Sequence, residues 1–245
     1  MNGTRVYRGA ADGQRLTSFT VTVKESDLWI AVSSSAYHEN LPSAVEKVIW
    51  NRRRKIESYL ALNPAPGASL GPCPVDSRAP ELFRRMTRAG NRAGVGPMAA
   101  VAGAIAEEAG AYLLGFSDEV IVENGGDIFL KVGQPARVGI YAGNSPLSGK
   151  LALQVNPSRA PLGVCTSSGT VGPSFSRGRA DAAVVLSAST TLADAAATAL
   201  GNMVQDPGDL ETALGFARRI EGVTGALVIC DCEIAAWGDV ELLKT

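Results

Sequence analysis

The 245-residue sequence predicts an α+β fold built as one domain over residues 1–245. Three observations carry that expectation. Short segments of period-two or continuous apolar character recur along the chain, and groups of segments with helical spacing interrupt them. No membrane-length apolar run divides the sequence, so nothing in it reads as a membrane span. With 46% hydrophobic residues, a chain of this length can bury a large core without covalent or metal staples.

Residues 17–23 place Phe19, Val21 and Val23 on one face, and residues 28–32 follow a polar turn as the second strand of a hairpin. Leu41, Val45, Val48, Ile49, Ile56, Tyr59 and Leu60 then recur at helical spacing, the apolar stripe of a helix of about 20 residues. Its end is set by Asn63-Pro64-Ala65-Pro66-Gly67. Residues 63–80 contain five of the thirteen prolines and read as a long loop. A short basic helix is expected over 80–88, then a small-residue helix over 97–114 whose Ala/Gly face suits close approach to a sheet. Strands are expected at 119–122, 128–132, 137–141 and 151–155. The last third adds strands at 163–166 and 182–187, helices at 192–204 and 210–220, and strands at 226–230 and 233–236. These helix-and-strand halves suggest two duplicated subdomains, although no repeat at a fixed sequence period accompanies them.

Composition removes several kinds of chemistry. The single histidine, His38, cannot supply a metal site needing two imidazoles, and it follows a strand-like segment where a solvent-exposed loop residue is expected. Cys73, Cys165, Cys230 and Cys232 form no paired Cys-x-x-Cys clips, so neither a zinc site nor a disulfide framework is expected. Cys230 and Cys232 stand two apart in an expected strand, where they would share a face as reduced thiols. The first residues, Met1-Asn2-Gly3-Thr4-Arg5, contain no apolar leader, and a cytoplasmic protein is expected.

Charge is segregated although the net value is −1. Residues 41–92 carry ten Lys/Arg against four acids, and residues 181–245 carry three against ten. Such zones fit phosphate-bearing ligands and divalent cations, or oppositely charged helix faces that pair in the fold. Arg52-Arg53-Arg54-Lys55 reads as a solvated helix face, and with 6% aromatic residues no stacking platform for nucleic acid is present. Gly94-Val95-Gly96-Pro97-Met98-Ala99 fits G-x-G-x-x-A but lacks the preceding strand that a dinucleotide site needs. The Gly143 to Lys150 stretch has the wrong spacing for a P-loop.

Three segments carry candidate chemistry. Asp194 and Thr198 lie four apart on an expected helix, which puts two hard oxygen donors on one face. Spacing alone favours an acid placed by the helix dipole with an incidental threonine. Thr166, Ser167, Ser168 and Gly169 end a strand in a hydroxyl-rich turn, which can be an anion-binding nest or an ordinary turn. Asn124, Gly125, Gly126 and Asp127 join two strands, and the glycines either serve the hairpin alone or admit a ligand close to the backbone.

In chain order these segments, with the small-residue helix before them, resemble the ApbE-like family of FAD:protein FMN transferases over roughly residues 94–204. The chain looks like a short branch of that superfamily. The resemblance implies mixed or antiparallel sheets with packed helices. It also implies magnesium held by Asp194 and Thr198, and an FAD or FMN site lined by Asn124, Gly125, Gly126, Thr166, Ser167, Ser168 and Gly169. A flavin nucleotide or similar anionic metabolite would be the ligand, and an acceptor flavoprotein the partner.

Two departures bear on activity. Met98-Ala99-Ala100-Val101 stands where the family has Ala-Lys-Gly-Tyr, whose alanine carbonyl assists the metal. Pro173-Ser174-Phe175-Ser176-Arg177-Gly178-Arg179 occupies the segment that in the family carries a histidine. A catalytic base would have to be Asp181, Asp127 or a ligand group. The resemblance leaves three readings: a magnesium-dependent flavin-nucleotide binder without transfer, an active FMN transferase or FAD pyrophosphatase, and a relative in fold alone. The missing groups favour the first.

Overall fold

The computed structural model describes residues 15–171 and 177–245, and its centre is an eight-stranded antiparallel sheet. β1 (Leu16–Val23) and β2 (Ser26–Ser33) form the expected hairpin, closed by Lys24 and Glu25, with Lys24 at φ 53°. β3 (Val120–Asn124) and β4 (Asp127–Lys131) form a second hairpin, followed further along by β7 (Leu162–Ser167), β8 (Ala182–Ser187), β9 (Val223–Cys230) and β10 (Glu233–Gly238). The strand order is β1-β2-β3-β4-β7-β8-β9-β10. β5 (Ala136–Gly139), β6 (Leu151–Val155) and β11 (Leu242–Lys244) make a separate three-stranded sheet in the order β11-β6-β5.

Each half of the large sheet follows the same order of two strands, helices and two strands. The halves share one continuous sheet because β4 and β7 pair directly, with Asp127 opposite Cys165 and Leu130 opposite Leu162. The first half's helices are α1 (Leu41–Leu62), α2 (Pro64–Ala68), α3 (Glu81–Ala93) and α4 (Val101–Leu113), and the second half's are α5 (Thr190–Met203) and α6 (Leu210–Ala217).

Burial explains the layering. Every residue of β8 is buried, since one face meets the helices and the other meets the small sheet. Ala183 and Val185 join the helix-side core with Cys165, Val122 and Phe129, whereas Val184 and Leu186 join Val164, Leu153 and Leu227 on the small-sheet side. A strand covered on both faces needs an unbroken apolar run, and Ala-Ala-Val-Val-Leu is one.

Several boundaries differ from the sequence expectation for physical reasons. α3 continues to Ala93 because Ala89, Gly90 and Ala93 extend its buried stripe, and Gly94 at φ 76° supplies the left-handed cap. Gly94 is therefore the end of a helix, as the absence of a preceding strand implied. The small-residue helix opens with a 3-10 turn, Pro97–Ala100, before α4 proper. The long loop contains α2, whose first residue is proline at a position where no backbone donor is needed. Cys230 and Cys232 do not share a strand face: Asp231, at φ 56°, turns the chain between them, leaving Cys230 buried and Cys232 exposed. All four cysteines are free thiols. No described helix is long and apolar enough to cross a membrane.

Candidate functional site

One end of the large sheet gathers the β3–β4 turn, the end of β7 and the β9–β10 turn, because Asn124 pairs with Asp127, Asp127 with Cys165, Ser167 with Ala183 and Ala182 with Ile229. At this end Asn124, Asp127 and Cys165 lie on three adjacent strands, on the face that carries the helices. α4 begins over them, and the Asn124 amide donates to the carbonyl of Ala102 in its first turn (3.0 Å).

Asp194 reaches the same place from α5. Its Oδ2 accepts from the N–H of Gly103 (2.8 Å), one of the first-turn donors that a helix cannot satisfy by itself. One turn later Thr198 Oγ1 lies 3.5 Å from the carbonyl of Ala99, to which it donates. Asp194, Thr198 and Ala99 thus bring a carboxylate, a hydroxyl and a carbonyl to the start of α4. The expected pairing of Asp194 with Thr198 on one helix face is what α5 presents. The close approach depends on Gly103, where a Cβ would stand 2.6 Å from the carbonyl of Thr190 and 2.7 Å from Asp194 Cβ.

The site is acidic and buried. Burial pushes the Asp127 carboxyl up to about 7, with Glu123 adding to the rise and the Cys165 thiol opposing it. Burial and then the neighbouring Asp127 raise the Asp194 carboxyl, against the pull of the Gly103 and Ala102 N–H groups. The same burial, with Asp127 and Asp194, raises the Cys165 thiol well above its ordinary range, so this sulfur is a neutral thiol that donates to the carbonyl of Thr190 (3.4 Å). Among the described residues, no lysine or arginine forms an ion pair with Asp127 or Asp194.

The other candidate residues divide. Gly125, at φ 84°, makes the β3–β4 turn possible, and the Gly126 carbonyl accepts from the N–H of Thr166 (3.0 Å), so this turn and the end of β7 abut. Ser167 faces α5, its Oγ 3.6 Å from where a Cβ of Gly201 would stand, while Thr166 lies with Val164 and Val184 on the opposite face. Ser168 turns inward on its own loop, its hydroxyl accepting from the N–H groups of Thr170 (3.1 Å) and Val171 (3.0 Å). Gly169 N–H donates to Ala180 (2.8 Å). The Thr166 and Gly169 N–H groups of the expected anion nest, and those of Thr170 and Val171 beside it, are therefore already bonded within the protein.

Asp181 holds loops together: its Oδ1 accepts from Thr170 Oγ1 (3.0 Å) and its Oδ2 from the N–H of Asp231 (2.8 Å). The Pro173 to Ser176 stretch, where the family's histidine is missing, lies outside the described residues. Sequence reasoning overlooked Cys165 and Gly103 as parts of this site. The small-residue composition of residues 99–110 was the one signal for Gly103. Two surface hollows lie elsewhere, one of about 240 Å³ by Arg52, Lys55 and Leu82, and an open groove of about 580 Å³ along α1 by Trp50. The acids of the first are paired with arginines, Glu108 with Arg52 and Arg85 and Glu81 with Arg84, so the α4–α5 cluster is the candidate site.

Comparison with known proteins agrees with this architecture. A family model described as AbpE bacteria matches residues 8–241. A UPF0280 protein of Methanocella arvoryzae is 48% identical over 193 residues, covering 78% of each chain, and one of Methanothrix thermoacetophila is 44% identical over 218 residues, covering 88% of this chain and 90% of its own. Among solved structures, the flavin transferase ApbE from Vibrio cholerae has a TM-score of 0.64 at 14% identity, covering 91% of this chain and 96% of that one. The flavinyl transferase ApbE of Pseudomonas stutzeri has a TM-score of 0.60 at 15% identity, covering 91% and 94%. At such identities the shared property is the fold, an α+β arrangement of antiparallel sheets and packed helices. The match of the family model over nearly the whole chain, together with these relatives, means that this chain belongs to the AbpE bacteria family.

Proposed function

We propose that the chain binds a flavin nucleotide, FAD or FMN, or a similar phosphate-bearing metabolite, through a magnesium ion held by Asp194 and Thr198. The observation that carries this reading is the buried carboxyl pair Asp127 and Asp194, which has no described cationic partner and sits where a hydroxyl and a backbone carbonyl converge. Buried negative charge is costly unless it is neutralised, and a divalent cation is the economical way to do so.

The donor set fits the ion. Magnesium takes hard oxygens and keeps positions for water and phosphate, so one carboxylate, one hydroxyl and one carbonyl suit it better than a closed cage. The described residues hold no cluster of three or more His, Cys, Asp or Glu that could form such a cage. The Ala99 carbonyl is a backbone group, so the side-chain changes across Met98-Ala99-Ala100-Val101 leave it in place as a donor. When bound, the ion would neutralise phosphate charge. The start of α4 adds the positive end of a helix dipole to the same place. Asn124, Gly125 and Gly126 would flank the ligand on one side and Ser167 on the other, whereas Thr166 faces away from α5 and the Ser168 hydroxyl and Gly169 N–H are bonded within their own loop.

Transfer of FMN requires a base for the acceptor's proton, a contribution of typically 10²-fold to 10⁴-fold. Both Asp181 oxygens already accept hydrogen bonds, which lowers its value as that base. We therefore read the protein as a binder with little transfer activity. One observation favours the second reading, an active magnesium-dependent transferase: the Asp127 carboxyl, pushed to about 7, is tuned to neutral pH. Incubation with FAD, magnesium and a threonine-containing acceptor, followed by mass spectrometry and assay of released AMP, separates the two. Little or no flavinylation is expected, and efficient covalent transfer would reject the binder reading.

A further inference from the structure

α4 and α5 run antiparallel: Ala99 meets Thr198, Gly103 meets Asp194, and Glu107 meets Thr191. Both helices are rich in small buried residues, and Gly103 of α4 stands directly against Thr190 and Asp194 of α5. Gly103, Ala104 and Ala106 on α4 and Ala193, Ala195, Ala196 and Ala197 on α5 are all buried. Such a surface lets backbones approach closely but offers few interlocking side chains, so packing alone penalises a slip along the helix axis weakly.

Polar cross-links do what packing does not. At one end, the Glu107 carboxylate of α4 receives the start of α5: its Oε2 accepts from Thr191 N–H (2.7 Å), Thr191 Oγ1 (2.9 Å) and Ser189 Oγ (3.2 Å). Its Oε1 accepts from Arg85 of α3 (3.1 Å), which pins Glu107 in turn. At the other end Asp194 of α5 receives the Gly103 N–H of α4 (2.8 Å). Each helix therefore supplies an acid to the N-terminal donors of the other.

We infer that Glu107 is a positioning residue, which sets the register of α5 along α4 and so delivers Asp194 and Thr198 to residues 99–103. This rests on the proposed function only for the claim that the delivered oxygens bind a cation; the register itself is a property of the two helices. Fixing register is the best-attested use of buried polar groups in otherwise uniform interfaces.

The test compares wild type, Glu107→Ala and the milder Glu107→Gln with Leu153→Ala, a variant that destabilises the small-sheet core away from both helices. Two quantities are read on the folded proteins: amide hydrogen exchange at Thr191 and Gly103 by NMR, and affinity for Mn²⁺ as a magnesium substitute. Glu107→Ala is expected to speed exchange at both amides, and to weaken Mn²⁺ binding, by about tenfold relative to Leu153→Ala, the scale of losing hydrogen bonds to a charged group. Glu107→Gln, which keeps one acceptor, should fall between and covers the case in which the alanine variant does not fold. Faster exchange at Thr191 with unchanged protection at Gly103 would overturn the inference, because Glu107 would then be only a local cap. Absence of Mn²⁺ binding by wild type would sink the proposed cation site, and the exchange comparison would still decide the role of Glu107.

Discussion

Replacing Gly103 by alanine sets two effects of opposite sign against each other. Helix propensity favours the substitution by about 1 kcal/mol, since alanine is the better residue inside α4. Packing opposes it. The new Cβ would stand 2.6 Å from the Thr190 carbonyl and 2.7 Å from Asp194 Cβ, whereas ordinary contact begins near 3.4 Å, and both neighbours belong to α5. α5 must therefore retreat by about 0.7 Å, an overpacking strain of about 1–3 kcal/mol. The retreat also stretches the 2.8 Å bond between Gly103 N–H and Asp194, which contributes about another 1–2 kcal/mol. Gly103→Ala should thus be less stable than wild type by about 1–4 kcal/mol in urea titration with an unchanged denaturant slope. Equal or greater stability would mean that α5 yields freely, and the account of Asp194 as rigidly presented would fail.

Asp127→Asn should remove a pH effect. With the carboxyl raised from 3.8 to about 7, its contribution to stability is fully present below pH 3.8 and is lost as pH rises through 7, a change of up to about 4 kcal/mol. The variant should therefore gain on wild type between pH 5 and pH 8; a stability difference that does not change with pH would refute the burial of this acid. Of Cys165, Cys230 and Cys232, only Cys232 should react quickly with a thiol reagent, the other two reacting after unfolding; rapid labelling of Cys165 would contradict the closed packing of the site. Asp181→Ala should cost about 1–3 kcal/mol and speed amide exchange at Asp231, since it removes the acceptor for that N–H and for Thr170. Unchanged exchange there would mean that the carboxylate does not hold the loops together.

How much of this was legible in the sequence depended on whether side chains or backbone carried the message. β6 and β8 match their expected bounds, because turn or loop residues bracket each compact apolar run. β11 went unread, since Leu242-Leu243-Lys244 is too short to show a period and depends on pairing with β6. α2 was hidden by two prolines that normally signal a loop. Within the site, the four-residue spacing of Asp194 and Thr198 revealed their shared face. Their counterparts, the Ala99 carbonyl and the Gly103 N–H, are main-chain groups that any residue possesses. Ser168 read as a ligand donor, yet its hydroxyl is engaged by the N–H groups of its own turn, a competition that depends on loop geometry.

The central claim is that one divalent cation joins Asp194, Thr198 and Ala99 to a phosphate-bearing nucleotide. Crystals grown with Mn²⁺ and FAD, with anomalous differences collected at the manganese edge, test it most directly. The account predicts one strong peak about 2.1–2.3 Å from an Asp194 carboxylate oxygen, Thr198 Oγ1 and the Ala99 carbonyl, with a nucleotide phosphate completing the shell. A nucleotide bound with no anomalous peak at these three oxygens, or a peak held by other residues, would contradict it.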